Sequence, residues 1–200
     1  MPILLQKPDF QFLPIERLVD NELELVAPAE SYVDEVLDAA HHPRTRRDMP
    51  HEAAITRDQI QDMLTQWPLG HQSPDAAKGI VPAYHFWMRL PHSGPVVAGA
   101  IALRISNDSH TCLYYGHIGY HVYPQHRGHH YAARACQLLL PLAKRHGLST
   151  LWITCNPDNF PSRRTCERIN AQLIETIDVP HGHPLYLRGE KQKCRYRVSI

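Results

Sequence analysis

The sequence predicts an α/β protein in which a single mixed sheet of six to seven strands carries about four helices on its faces. Two observations lead there. Apolar residues recur at helical spacing through much of the first third of the chain, and from residue 84 the period changes to two. Beyond residue 124 helical and strand periods then alternate to the C-terminus, and no repeat, low-complexity tract or long linker divides the 200 residues.

The elements follow in order. "ELELVAP" (22–28) alternates as a half-buried strand does, and "AESYVDEVLDAAHH" (29–42) is a helix with acids in its first turn. "HHPRTRRDMPHEAAI" (41–55) reads as a polar, proline-marked loop. "TRDQIQDMLTQW" (56–67) opens with Thr56 and Gln59 at the spacing of a capping box and reads as a second helix. "YHFWMRL" (84–90) and "VVAGAIALRI" (96–105) form a hairpin through "PHSG", and "GHIGYHVYP" (116–124) is a strand stopped by Pro124. "YAARACQLLLPLAKRHG" (131–147) is a helix ending in basic residues and glycine, with a kink expected near Gln137 because Pro141 removes a backbone bond. "TLWITC" (150–155) is an apolar strand, "FPSRRTCERIN" (160–170) a short helix, and "QLIETIDV" (172–179) and "KCRYRVSI" (193–200) the last strands. The predicted order is β-α-α-β-β-β-α-β-α-β-β, one domain over residues 1–200.

Charge and cysteine usage narrow the function classes. Twenty-one Lys and Arg against twenty Asp and Glu argue against a nucleic-acid or membrane-surface partner. Five cysteines without a CxxC pair read as buried free thiols in a reducing compartment. The absence of a signal-like N-terminus or a span-length apolar run points to the cytoplasm. Fifteen histidines offer metal ligands, yet none stand at zinc-like spacing, so no metal is expected.

The stretch "YPQHRGHHYAARAC" (123–136) carries the chemistry. A strand that ends in a turn opening a helix offers free N–H groups and the positive end of the helix dipole to an anion. It resembles the acetyl-CoA turn of the GCN5-related N-acetyltransferase (GNAT) superfamily, Gln/Arg-x-x-Gly-x-Gly/Ala after a strand. Two registers fit: one begins at Gln125 with Gly128 at the glycine, the other at Arg127 with His130 at the glycine and Ala132 at the small position. The second is preferred, because it keeps the common run from Val122 through Ala132. The resemblance continues downstream in Asn159 and Ser162, three residues apart at the start of a helix. A subgroup of predicted acetyltransferases with "GHIGY" on the cofactor strand (Gly116–Tyr120), "ITC" (153–155) and Arg195-Tyr196 is similar too. The likeness covers roughly residues 95–200.

The resemblance implies transfer of an acetyl group from acetyl-CoA to an amine by direct attack in a ternary complex. Residues 95–200 would form the acetyl-CoA core and residues 1–94 the acceptor side. The backbone of Val122 and Tyr123 would pair with the pantetheine arm. The turn of Arg127, Gly128, His129, His130, Tyr131 and Ala132 would hold the pyrophosphate, with Asn159 and Ser162 beside it. His130 would carry about 1 kcal/mol of strain if the family glycine has φ > 0. The imidazoles of His129 and His130 either contact phosphate or point to solvent. Many members carry an acidic tyrosine seven residues after the Asn, a position held here by Cys166. His117, Tyr120 and His121 on the cofactor strand are the candidate catalytic residues, with His117 at the site of a base that some members place there. A coenzyme A-binding sensor without transferase activity remains the alternative, the acceptor is a small-molecule or peptide amine, and a homodimer is possible.

Overall fold

The computed structural model describes residues 10–69 and 75–200. Among the described residues, eight strands form two sheets. Strands β1 (Leu18–Val19), β2 (Glu24–Val26), β3 (Ala83–Arg89), β4 (Val97–Arg104) and β5 (Ile118–Val122) lie in that order, every pair antiparallel. Strands β6 (Thr150–Cys155), β7 (Gln172–Asp178) and β8 (Gln192–Ser199) make the second sheet in the order β6-β8-β7, again antiparallel. The α/β class stands, but the single mixed sheet is corrected to two sheets that part between β5 and β6.

The helices fall on two faces. On one, α1 (Val33–His41) packs Val33, Val36 and Ala40 against Trp87, Val97 and Tyr123, with Ile60 of α4 (Arg57–Leu69) alongside. On the other, α5 (Tyr131–Arg145) buries Ala135, Cys136, Leu139 and Leu142 against Phe86, Ile101, Ile118 and Ile153. Apolar side chains alternate across β3 and β4 because successive residues face opposite sides, so the two clusters share one sheet. Helix α6 (Phe160–Arg168) follows β6 and buries Cys166.

Several expectations are borne out in detail. The capping box at the start of α4 is reciprocal: Thr56 N–H donates to Gln59 Oε1 at 2.9 Å and Gln59 N–H to Thr56 Oγ1 at 3.2 Å. All five cysteines are free, and Cys136, Cys155, Cys166 and Cys194 are buried.

The predicted loop 41–55 instead holds two short helices, α2 (Pro43–Asp48) and α3 (Pro50–Ala53). Each begins on a proline, whose fixed φ suits the first helical position and whose missing N–H is no loss there. His42 Nδ1 also accepts from Arg44 N–H. Helix α5 runs on through Pro141, which is exposed. A further helix, α7 (Pro184–Leu187), is capped by His183 and follows the same proline rule inside "HGHP".

Candidate functional site

The site is the gap between β5 and β6, and the GHIGY stretch builds its base. Gly116 has φ 70 and ψ 163, and a Cβ there would sit 2.9 Å from Trp152 O and 3.0 Å from Thr154 N. Only glycine lets the two strands approach this closely. His117 then joins the sheets: its N–H donates to Trp152 O at 2.6 Å, and its Nδ1 accepts from Trp152 N–H at 2.9 Å. Above that point the strands splay, leaving a cavity of about 190 Å³ whose walls include Arg104, Gly119, Tyr120, Thr154, Asn159 and Ser162.

The position of His117 corrects its assignment as the base. The side chain has no exposed surface, does not line the cavity, and spends Nδ1 on the sheet junction. Burial pulls its pKa down to about 4, so the ring is neutral and structural at physiological pH. His121 points away from Tyr120, because side chains alternate along the strand. Its ring meets Tyr123 at 5.2 Å and faces Glu52 of α3, and burial lowers its pKa. It does not line the cavity.

Tyr120 does face the gap. Its hydroxyl lies 2.8 Å from Ser162 Oγ and 3.3 Å from Ser162 O. Burial pushes its pKa well above the usual value for tyrosine, so the phenol keeps its proton. Asn159 caps α6, its Oδ1 accepting from Ser162 N–H at 3.2 Å, which explains the three-residue spacing of the pair. Cys166, one turn beyond Ser162, is wholly buried and its thiol is pushed up to about 12 by that burial. It is an inert core residue beneath Tyr120.

The upper part of the site is backbone. Tyr123 N–H donates to Ala98 O at 2.9 Å, which sets the phase of the β5 ladder. The N–H and C=O groups of Tyr120 and Val122 therefore face the gap, whereas Tyr123 spends its N–H on β4 and its C=O on His126 N–H at 2.9 Å. The expectation that Tyr123 backbone would pair with a ligand arm is thus corrected, and the ring of Tyr123 packs under α1. Val122 O accepts from Arg127 Nε at 3.1 Å, so Arg127 ties the turn to the strand. Gln125 is also a brace, bonded to Ala39 O and Thr45 Oγ1.

The turn itself has two left-handed residues, Gly128 at φ 94 and His130 at φ 63. His130 stands immediately before α5, where the Arg127 register places the glycine, and it carries the strain that its Cβ entails. Among the described residues, the amides of Gly128 through Ala133 have no hydrogen-bond acceptor. Six successive free N–H groups at a helix start fit an anion such as a pyrophosphate. The imidazole of His129 stacks on Tyr131, with centroids 5.3 Å apart, and His129 and His130 are both exposed.

Sequence reasoning missed the charged residues of the gap. Arg104 on β4 and Lys193 on β8 both line it, Lys193 bonded to Asn156 Oδ1 at 2.8 Å and paired with Glu190. Period-two alternation marked both strands, yet nothing local showed that these cations meet across two sheets. A second, wider pocket of about 840 Å³ adjoins through Asn156 and Glu190, between the start of α6 and the β7–β8 connection. Among the described residues no group of three or more His, Cys, Asp or Glu could hold a metal ion, and no helix is long and apolar enough to cross a membrane.

Two antiparallel sheets splayed over a junction, with a free-amide turn above the gap, define the architecture of an acetyltransferase of the GNAT kind. The model of the acetyltransferase (GNAT) domain family matches residues 22–172, and the chain belongs to that family. Solved structures agree on the fold. The microcin C7 self-immunity acetyltransferase MccE, in complex with acetyl-CoA and AMP, superposes with a TM-score of 0.64 at 18% identity, over 90% of this chain and 94% of that one. RimL, the ribosomal L7/L12 alpha-N-protein acetyltransferase, solved with coenzyme A, gives 0.64 at 18% identity over 92% and 98%. A putative ribosomal-protein-serine acetyltransferase from Vibrio cholerae gives 0.64 at 16% identity over 94% and 100%. No curated protein matches the chain in sequence.

Proposed function

We propose that the protein transfers the acetyl group of acetyl-CoA to a primary amine by direct attack in the β5–β6 gap. The observation that carries the cofactor assignment is the run of unpartnered amides from Gly128 through Ala133 above an open strand edge. Acetyl-CoA would supply an activated acetyl thioester there. The turn amides would hold its pyrophosphate, and the edge N–H and C=O of Tyr120 with the N–H of Val122 would hold its pantetheine amides. MccE and RimL were solved with acetyl-CoA and coenzyme A respectively, which supports the same cofactor here.

The side chains divide the remaining work. Tyr120 holds a proton on its hydroxyl at the gap and donates it to a departing thiolate, in place of the family tyrosine that Cys166 replaces. Ser162 orients that hydroxyl, and Asn159 fixes Ser162 by capping the helix. The amine enters neutral and loses its proton to water, because neither His117 nor His121 opens on the cavity. The wider pocket at Asn156 and Glu190 admits the rest of the acceptor.

The test is a thermal shift with acetyl-CoA followed by thiol release with an amine panel. Stabilisation by acetyl-CoA together with amine-dependent release of coenzyme A supports the transferase. Stabilisation without release with any amine supports a coenzyme A-binding sensor, and no stabilisation at millimolar acetyl-CoA removes both readings.

A further inference from the structure

Three cations stand at or near the gap, and two of them are buried and neutralised. Arg195 pairs with Glu175 and lies 4.1 Å over the Trp152 ring, and Lys193 pairs with Glu190. Arg104 has no carboxylate partner among the described residues. Its Nη1 donates to Gly116 O at 3.3 Å, and its guanidinium lines the cavity. Burial holds its pKa below the usual arginine value, which reflects a charge removed from water without an opposing charge.

The neighbouring residues make room for that side chain. A Cβ on Gly119 would lie 3.2 Å from Arg104 Nη1, so the second glycine of GHIGY leaves space for the guanidinium. The pairings Ala102 with Gly119 and Ala100 with His121 put Arg104 on the same sheet face as Gly119 and opposite to Tyr120. The gap therefore has a proton donor on one face and an unpaired cation on the other.

A half-buried guanidinium that lines a cavity with no carboxylate beside it has lost part of its hydration, and an anionic ligand there would complete it. Its planar fork suits a carboxylate. The phosphates of a coenzyme at the Gly128–Ala133 turn are separated from Gly119 by the upper half of β5, a rise of roughly 10 Å. The thioester carries no charge. The remaining source is the acceptor.

Granting the acetyl transfer proposed above, we infer that the acceptor amine carries a carboxylate close to its nitrogen and that Arg104 binds it. Amino acids fit this description, and simple alkylamines do not.

The test uses matched sets built on alanine, phenylalanine and serine: the α-amino acid, its carboxamide and the decarboxylated amine. Coenzyme A-saturated protein is followed by thermal shift, and turnover by thiol release. At least one amino acid should stabilise the complex and be acetylated with a KM about 10- to 100-fold lower than its amide, the range for losing a charged hydrogen-bonded contact. Arg104→Met should abolish that preference through KM, and Arg104→Lys should retain part of it. Both variants should keep the shift produced by acetyl-CoA alone. A wild type without that shift would defeat the cofactor reading instead, so the two failures are separable. Equal response to acid and amide, no stabilisation by any member of the sets, or a uniform fall in kcat across all acceptors in Arg104→Met would overturn the inference.

Discussion

Gly116→Ala tests the sheet junction directly. At φ 70 and ψ 163 the residue occupies a region that side chains other than hydrogen avoid, a cost of about 1–3 kcal/mol. The added Cβ would also meet backbone rather than flexible side chains, at 2.9 Å from Trp152 O and 3.0 Å from Thr154 N. Overpacking of that kind costs about 1–3 kcal/mol more. The sum, about 4 kcal/mol, is a large share of the roughly 5–15 kcal/mol that holds a domain together. For a chain of this length it corresponds to a fall in Tm of about 10 °C. Gly128→Ala is the control, since Gly128 has φ 94 but nothing within 4 Å of an added Cβ, so only the conformational cost of about 1 kcal/mol applies. Urea titration of both variants and the wild type, with the slope checked for constancy, measures the difference. A loss below about 1 kcal/mol in Gly116→Ala, or equal losses in the two variants, would refute the claim that backbone contact at the junction demands glycine.

Three further outcomes follow from the geometry. His117 is neutral in the fold with a pKa near 4, against about 6.5 unfolded, so the unfolded chain binds the extra proton between those values. The resulting stability is present in full above about pH 6.5 and is lost as pH falls toward 4, a change of about 3 kcal/mol. In His117→Asn, whose amide oxygen can still accept from Trp152 N–H, denaturation midpoints across that window should fall less steeply. Tyr120→Phe should lower kcat by about 100-fold or more, the usual worth of a positioned proton donor, while leaving the acetyl-CoA thermal shift in place; an unchanged kcat removes Tyr120 from the chemistry. His130→Gly relieves left-handed strain at the start of α5 and should raise stability by up to about 1 kcal/mol. If only its amide serves the cofactor, the acetyl-CoA affinity by calorimetry should stay within a few-fold of wild type.

Local patterns carried most of the secondary structure. The capping box at Thr56 and Gln59, the hairpin at 84–105, and the strand–turn–helix of residues 116–147 depend on neighbours in sequence, and the described structure has all three. The short helices α2 and α3 were read as one loop, because prolines that start a helix and prolines that break one look alike without the cap beside them. For the site, the turn from Arg127 to Ala132 and the pair Asn159 and Ser162 were legible, since backbone amides and a helix cap are set by local sequence.

The roles of the side chains were decided at longer range. Strand alternation placed Tyr120 and His121 on opposite faces, but only the approach of α6 showed that Tyr120 reaches Ser162. His117 became a structural joint, not a base, because the second sheet meets β5 at Trp152, 35 residues away in sequence. The same approach of β6 leaves Arg104 half-buried with its charge unmatched, a condition that net charge near zero conceals. By itself the sequence determined where strands, helices and the anion-binding turn begin, because those follow from periodicity, caps and backbone freedom within a few residues. The tertiary structure alone decided which polar groups share the gap, because burial and pairing depend on contacts that no local pattern records.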